Sequence, residues 1–122
     1  MAISGVFLEF AKETFEPFGA IRIRKMFGGA GVYCDELFFA ILDDDAVFFK
    51  ADDVTRGEFE RAGLEAFSYE LKDGAHASMS YYSAPEDIYD DADALKHWTT
   101  LALDAASRAA KLKKKPAKKK KS

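Results

Sequence analysis

The stretch IRIRKMFGGAGVYCDELFFAILDDDAVFFK, residues 21–50, decides the fold. Its first isoleucines alternate with arginines, which is typical of a half-buried β-strand. A continuous apolar run, Leu37–Leu42, lies between acidic segments at 35–36 and 43–45, and a second apolar segment follows. Because two or three residues are enough for a tight turn, this spacing predicts an antiparallel meander.

A run of glycines interrupts this stretch at Gly28, Gly29 and Gly31. It fits either one strand that is bent or bulged at the glycines or two short strands. A phosphate-binding loop is the alternative, but no Lys-Ser/Thr pair follows at the required spacing and no G-x-G-x-x-G opens a helix. We therefore favour the irregular strand and count three strands in this part of the chain.

The flanking sequence predicts three helices and a second hairpin. The first helix, over Ser4–Glu16, has one apolar side made of Val6, Phe7, Phe10, Ala11 and Phe15. The remaining segments are a helix over Thr55–Ala62, strands over Phe67–Leu71 and His76–Tyr82, and a last helix that begins near Asp91 or Asp93 and that Pro116 ends. The order α-β(3)-α-β(2)-α predicts an α+β fold with helices packed on one antiparallel sheet.

Size and composition narrow the class of protein. The chain has 122 residues, of which 48% are hydrophobic and 11 are Phe, so it can build the core of one domain. A single cysteine excludes a disulfide framework and a Cys-rich zinc module. No apolar run approaches the roughly 20 residues of a membrane span. The N-terminus lacks the pattern of a secretory signal, so we expect a cytoplasmic protein.

The charge divides the chain into two unlike parts. Residues 1–110 carry ten Lys and Arg against 21 Asp and Glu, a net −11, whereas residues 111–122 carry eight Lys and no acid, a net +8. We expect a folded domain over 1–110 and a disordered lysine-rich tail over 111–122. The tail can bind nucleic acid non-specifically, solubilise the protein, or fold back on the acidic body. The candidate nucleic-acid contacts are Lys111, Lys113, Lys114, Lys115, Lys118, Lys119, Lys120 and Lys121.

The sequence offers little support for a catalytic site or a metal site. Cys34, His76 and His97 are the candidates for nucleophilic chemistry, but nothing in their spacing unites a Cys, a His and a carboxylate. Acids also cluster at Asp43, Asp44, Asp45, Asp52 and Asp53, without the offsets of an EF-hand loop. We therefore expect no catalytic residue, no metal and no cofactor.

The segment Ser78–Tyr82 mixes hydroxyl and aromatic side chains. One interpretation is an exposed sheet face that a tyrosine anchors. The other is a surface for a protein partner, because Tyr is enriched at interfaces.

Several blocks in order resemble the N-terminal domain of the TfoX/Sxy family, bacterial regulators of natural competence genes, over roughly residues 5–110. The blocks are Arg24–Gly31, Phe39–Asp44, Phe49–Asp52, Gly63 with Phe67–Tyr69, and Ser78–Tyr82 with Pro85 and Glu86. The positions that carry the family pattern are Arg24, Lys25, Met26, Phe27, Gly28, Gly29, Gly31, Asp43, Asp44, Lys50, Ser80, Tyr81, Tyr82 and Pro85.

The resemblance implies a two-layer α-β(3)-α-β(2)-α fold like that of secretion chaperones, with no agreed catalytic or ligand residues. The family is associated with transcriptional activation alongside the cyclic-AMP receptor protein, and its full-length members carry a second, C-terminal domain. We therefore expect a non-enzymatic regulator that acts through a protein partner such as transcription machinery, with the lysine tail touching nucleic acid. The alternative is a chaperone-like, homodimeric protein-binding module that does not bind nucleic acid.

Overall fold

The computed structural model describes the backbone of residues 4–26, 29–70 and 76–121, and their side chains except at 26, 68–70, 76–79 and 113–121. The helices are α1 (Gly5–Phe15), α2 (Arg56–Arg61) and α3 (Ala92–Lys121), with short 3-10 helices at Glu16–Phe18 and Glu86–Tyr89. The strands are β1 (Ile21–Met26), β2 (Gly29–Cys34), β3 (Leu37–Asp43), β4 (Ala46–Lys50), β5 (Ala66–Glu70) and β6 (His76–Ser83).

The six strands form a single antiparallel sheet in the order β1-β2-β3-β4-β6-β5. The first four strands are a meander. After α2 the chain enters at the far edge as β5 and returns as β6 beside β4. The predicted α+β class with one antiparallel sheet is confirmed.

The glycine run does not bend one strand but separates two. β1 and β2 are separate antiparallel strands in which Met26 pairs with Gly29, and residues 27–28 lie outside the described part of the chain. The first group therefore has four strands, and the count of three was wrong. Glycine is needed at position 29 because a Cβ there would lie 2.2 Å from the Leu42 carbonyl oxygen of β3.

One irregularity in the sheet lies in β3, and the β5–β6 pair has another register shift between Ala66 and Ser68. Val32 pairs with Ala40 and Tyr33 with Phe38, which leaves Phe39 as an extra residue in a β-bulge. The bulge changes the alternation of faces, so Phe39 and the next residue, Ala40, are both buried in the same cluster. The residues on either side of this pair, Phe38 and Ile41, belong to a different cluster.

The main core joins the sheet to all three helices. It contains Ala11 and Phe15 of α1, Phe59 of α2, and Ala102 and Ala106 of α3, together with strand residues such as Phe39 and Phe49. The small alanines let α3 lie close to β3 and β4. Phe15 meets Phe39 and Phe49 edge-on at centroid distances of 5.2 and 6.0 Å.

The apolar side of α1 is only partly buried. Ala11 and Phe15 are in the core and Phe7 packs against it, but Val6 and Phe10 are exposed. The predicted helix is confirmed, but only part of its apolar side meets the sheet. On a helical wheel these side chains span about 180°, which is wider than the stripe that a flat sheet can cover.

The last helix continues past Pro116 to Lys121, so the prediction that Pro116 ends it was wrong. A proline inside a helix loses one backbone hydrogen bond. The alanine and lysines around it are strong helix formers, and lysines near a C-terminus interact favourably with the helix dipole. The predicted tail therefore has helical backbone, while the division of the chain at 110/111 stays a prediction. Among the described residues, no helix is long and apolar enough to cross a membrane.

Candidate interaction surfaces

An ion pair fixes α3 to the loop between β4 and α2. Arg108 Nε donates to Asp52 Oδ2 at 2.6 Å and its NH2 group donates to Oδ1 at 3.1 Å. Asp52 also accepts from the backbone N–H groups of Val54 and Thr55. The Arg108 hydrogen bond lowers the pKa of the Asp52 carboxyl to about 2, and the backbone donors add to the effect. The pair thus holds the second half of α3 against the sheet.

A second apolar cluster consists of strand residues alone, which we call the strand cluster: Ile41, Phe67 and Tyr81, with Phe38 and Phe48 packed against them. Phe48 lies 4.9 Å from Phe67, and Phe38 lies 5.7 Å from Tyr81, between ring centroids. Burial raises the pKa of the Tyr81 phenol. Because these rings pack on one another, the strand cluster is a small second core.

Cations border the strand cluster. The guanidinium of Arg22 lies 4.3 Å from the ring centroid of Tyr33, which stacks on Phe38 at 4.9 Å. Arg22 also donates two hydrogen bonds to Glu36, at 2.8 and 3.3 Å. The Lys50 ammonium lies 5.1 Å from the ring centroid of Tyr81. With Tyr33 already contacted by Phe38 and Arg22, this face is poorly suited to stack nucleic-acid bases.

The tyrosines of the Ser78–Tyr82 segment are buried on opposite faces of the sheet. Tyr81 enters the strand cluster, and Tyr82 enters the main core, where it stacks on Phe59 at 5.4 Å. The Tyr82 hydroxyl donates to Glu60 Oε2 at 3.0 Å. The interpretation as an exposed face anchored by a tyrosine is therefore wrong for these two tyrosines. Ser80, the residue before them, is exposed.

An exposed aromatic patch lies where α1 meets the second 3-10 helix. It consists of Val6, Phe10 and Tyr89, with Phe10 and Tyr89 in ring contact at 5.4 Å. We call it the α1 patch. Sequence reasoning did not predict it, because Val6 and Phe10 were grouped with Phe7, Ala11 and Phe15 on one apolar side of the helix. The breadth of the apolar arc on α1 was the signal that could have shown it.

The other family positions serve turns and strand pairing. Arg24 and Lys25 are exposed on β1, whereas Gly29 and Gly31 are buried in β2. Asp44 has a positive φ of 52° in the two-residue turn after β3, a conformation that Asp tolerates well. Asp43 and Lys50 are half-buried at strand ends, and Pro85 is half-buried before the second 3-10 helix. Nothing is assigned to Phe27 or Gly28, nor to the Met26 side chain, which lie outside the described part.

The candidate catalytic residues are not brought together where the structure describes them. Cys34 is buried at 2% exposure in the main core, and burial raises the pKa of its thiol. His97 lies on the exposed side of α3, with its Nε2 3.1 Å from Glu58 Oε1. The side chain of His76 is outside the described residues. Within the same residues, no three or more His, Cys, Asp or Glu side chains are grouped to hold a metal ion.

The lysines of the nucleic-acid hypothesis all belong to the C-terminal part of α3. Lys111 is exposed, and the side chains of Lys113, Lys114, Lys115, Lys118, Lys119, Lys120 and Lys121 are outside those that the structure describes. Helical backbone gives them a rise of about 1.5 Å per residue, so they form a short, dense cationic segment.

Together the open antiparallel sheet, its helices and the buried tyrosine pair define a small α+β domain, and its described residues include no group of three or more potential metal ligands. The family model for the TfoX N-terminal domain matches residues 13–106. The chain therefore belongs to the TfoX N-terminal domain family, as its motifs predicted.

A curated relative supports the same assignment. The chain is 26% identical over 80 residues to the DNA transformation protein TfoX1 of Aliivibrio fischeri (strain ATCC 700601 / ES114). The alignment covers 66% of this chain and 36% of the relative, so the chain spans about a third of that protein's length. The name of that relative concerns DNA transformation, which agrees with a competence-associated, TfoX-like protein.

Proposed function

We propose that this chain is a cytoplasmic, non-enzymatic regulator of the TfoX type. Its folded domain binds a protein partner such as transcription machinery, while the lysines of α3 contact nucleic acid without reading its sequence. The observation that carries the proposal is the division of charge, net −11 over residues 1–110 and +8 over 111–122, in a chain of this family.

The folded domain is better suited to protein than to nucleic acid. Its acidic surface repels a polyanion, and the α1 patch offers exposed apolar area of the kind that proteins bury in partners. The lysines have the opposite property. Eight cations on a short segment bind phosphates by counterion release, although Lys has no bidentate fork for base edges.

Binding of labelled duplex DNA across a salt series tests the nucleic-acid contact. We compare the full chain with a variant carrying Lys119→Gln, Lys120→Gln and Lys121→Gln. If about five phosphates are contacted, log K falls with log salt with a slope near −4.5. If Lys119, Lys120 and Lys121 make three of those contacts, the substitutions reduce the magnitude of that slope by about 2.7.

The matched control removes the same charge from the body, with Lys12→Gln, Arg61→Gln and Lys96→Gln, all exposed in the structure. Its slope is expected to stay within about one unit of the parent slope, because the body does not touch the phosphates. Equal losses in both variants contradict the assignment to α3. A full chain that does not bind at physiological salt favours the alternative, a chaperone-like homodimeric module that binds protein only.

A further inference from the structure

The α1 patch groups three of the large hydrophobic side chains that are exposed among the described residues. Val6 is 81% exposed, Phe10 is 42% exposed and Tyr89 is 41% exposed. Phe10 touches both Tyr89 and Phe7, at centroid distances of 5.4 and 6.1 Å, so the rings are held in place. A pre-ordered apolar patch loses little entropy when a partner covers it.

Exposed acids predominate around the α1 patch, although α1 also carries the exposed Lys12 next to Glu13. Glu9 and Glu13 follow Val6 and Phe10 by three residues and are exposed on the same side of α1. Exposed acids also flank Tyr89 in sequence: Glu86, Asp87, Asp90 and Asp91. Neither 4–11 nor 84–95 contains a Lys or Arg. The patch therefore suits a partner with an apolar anchor set among cations.

The chain itself carries such a segment. Leu112 of α3 is 65% exposed, Lys111 beside it is exposed, and Lys113, Lys114 and Lys115 follow in the sequence. Within one molecule the two features cannot meet, because α3 is continuous between them. Leu112 lies 20 residues beyond Ala92, which is about 30 Å along a helix, whereas Tyr89 lies just before that helix.

We propose that two copies of this chain pair with their α3 helices antiparallel, so that Leu112 and its lysines from each copy dock on the α1 patch of the other. The dimer then contains two identical junctions, each between the Leu112 segment of one copy and the α1 patch of the other. Because both junctions form at once, the arrangement is self-complementary, as a two-fold dimer requires. Each junction places an exposed leucine on exposed aromatic rings and lysines against Glu13 and Asp90. It rests on the exposed apolar side chains and the opposite charges at the two ends, and not on any nucleic-acid contact.

Sedimentation velocity of the full chain, freed of nucleic acid, measures the mass directly. We expect a dimer of twice the 13.6 kDa chain mass at about 0.05 M NaCl. Raising NaCl to about 0.5 M is expected to weaken the dimer at least about tenfold, since screening shortens the reach of the charges. A monomer at low salt across a hundredfold range of concentration, on the order of 1 to 100 µM, overturns the proposal.

Charge reversal at each end tests the pairing. One variant carries Glu13→Lys and Asp90→Lys beside the α1 patch. Asp91 is left unchanged because its carboxylate caps the start of α3. The other carries Lys113→Glu and Lys114→Glu. Each variant alone puts like charges at both junctions and is expected to be monomeric. Mixed together they restore opposite charges at both junctions, so a heterodimer is expected.

Two controls separate the proposal from a general effect of charge or of lost apolar surface. Glu16→Lys with Glu65→Lys makes the same charge change at exposed positions outside the patch and is expected to leave the dimer intact. Leu112→Ser is expected to weaken it, whereas Val54→Ser, which removes another exposed apolar side chain, is not. Circular dichroism confirms that every variant is folded. A dimer that survives patch reversal, or reversed variants that fail to form the heterodimer, overturns the proposal.

Discussion

Arg108 and Asp52 are 56 residues apart in sequence, yet Arg108 Nε lies 2.6 Å from Asp52 Oδ2. This ion pair connects the C-terminal half of α3 to the loop that follows β4. Nothing local explains it, because Asp52 already caps its own loop through the N–H groups of Val54 and Thr55. The carboxylate therefore connects its own loop to α3, and its lowered pKa contributes to the pH dependence of stability.

The stability of the protein is expected to fall at low pH through Asp52. Its pKa is about 2 in the folded state against an ordinary value of 3.8, so the carboxylate stabilises the fold fully above pH 3.8. That contribution is lost as the pH falls from 3.8 through about 2. After screening at this half-exposed pair, Asp52→Asn is expected to cost about 1 kcal/mol of unfolding free energy at pH 7. Urea unfolding at pH 7 and near pH 2 measures both effects.

The control for that prediction is Asp53→Asn. Asp53 is exposed and pairs with Arg56 within one turn. Its substitution is expected to change the unfolding free energy by under about 0.5 kcal/mol. If Asp52→Asn matches the parent at pH 7, Arg108 does not hold α3 as described.

Gly29→Ala is expected to destabilise the fold by more than about 3 kcal/mol or to shift the register of β2. The added Cβ would lie 2.2 Å from the Leu42 carbonyl oxygen, and a backbone atom in the middle of a sheet cannot yield cheaply. Gly5→Ala is the contrasting change, since nothing lies within 4 Å of a Cβ at that position in the first turn of α1. It is expected to stabilise the protein by about 0.5 kcal/mol. Thermal unfolding of both variants, compared with the parent protein, measures the two stability changes.

Thr99→Val is expected to be neutral or stabilising by up to about 1 kcal/mol. Thr99 is fully buried in α3, and its Oγ1 has no hydrogen-bond partner among the described residues. Replacing an unsatisfied hydroxyl by a methyl group of similar size removes a desolvation penalty. Thr100→Val, at the exposed neighbouring position, is the control for helix propensity. A clear loss of stability in Thr99→Val alone would mean that the hydroxyl has a partner.

The thiol of Cys34 is expected to react slowly with a neutral disulfide reagent in the folded protein. It is buried, and burial raises its pKa, so little thiolate is present near neutral pH. Denaturant is expected to raise the reaction rate by at least about a hundredfold, because the thiol is then exposed at its ordinary pKa. Fast reaction in the native state would instead support a reactive cysteine.

Local patterns in the sequence predicted most of the elements because each depends on near neighbours. The acidic turns are an example, since Asp35 and Glu36, and Asp44 and Asp45, adopt positive φ between paired strands. The start of the first helix is another, predicted at Ser4, whose Oγ accepts from the Phe7 N–H at 3.0 Å in the structure. The sequence could not decide between one irregular strand and two short strands at the glycines, because a tight turn and a bulge both favour glycine. The outcome depends on where β3 approaches Gly29, which is a tertiary contact.

By itself the sequence determined the family, the α+β class and the separation of an acidic body from eight lysines, because composition, periodicity and motif order are properties of the chain. The tertiary structure alone decided which side chains became surface. Val6 and Phe10 have the same apolar character as Phe15, but α1 meets the sheet over only part of its circumference, so they stay exposed beside Tyr89. Burial depends on contacts between residues far apart in sequence, and local spacing does not specify those contacts.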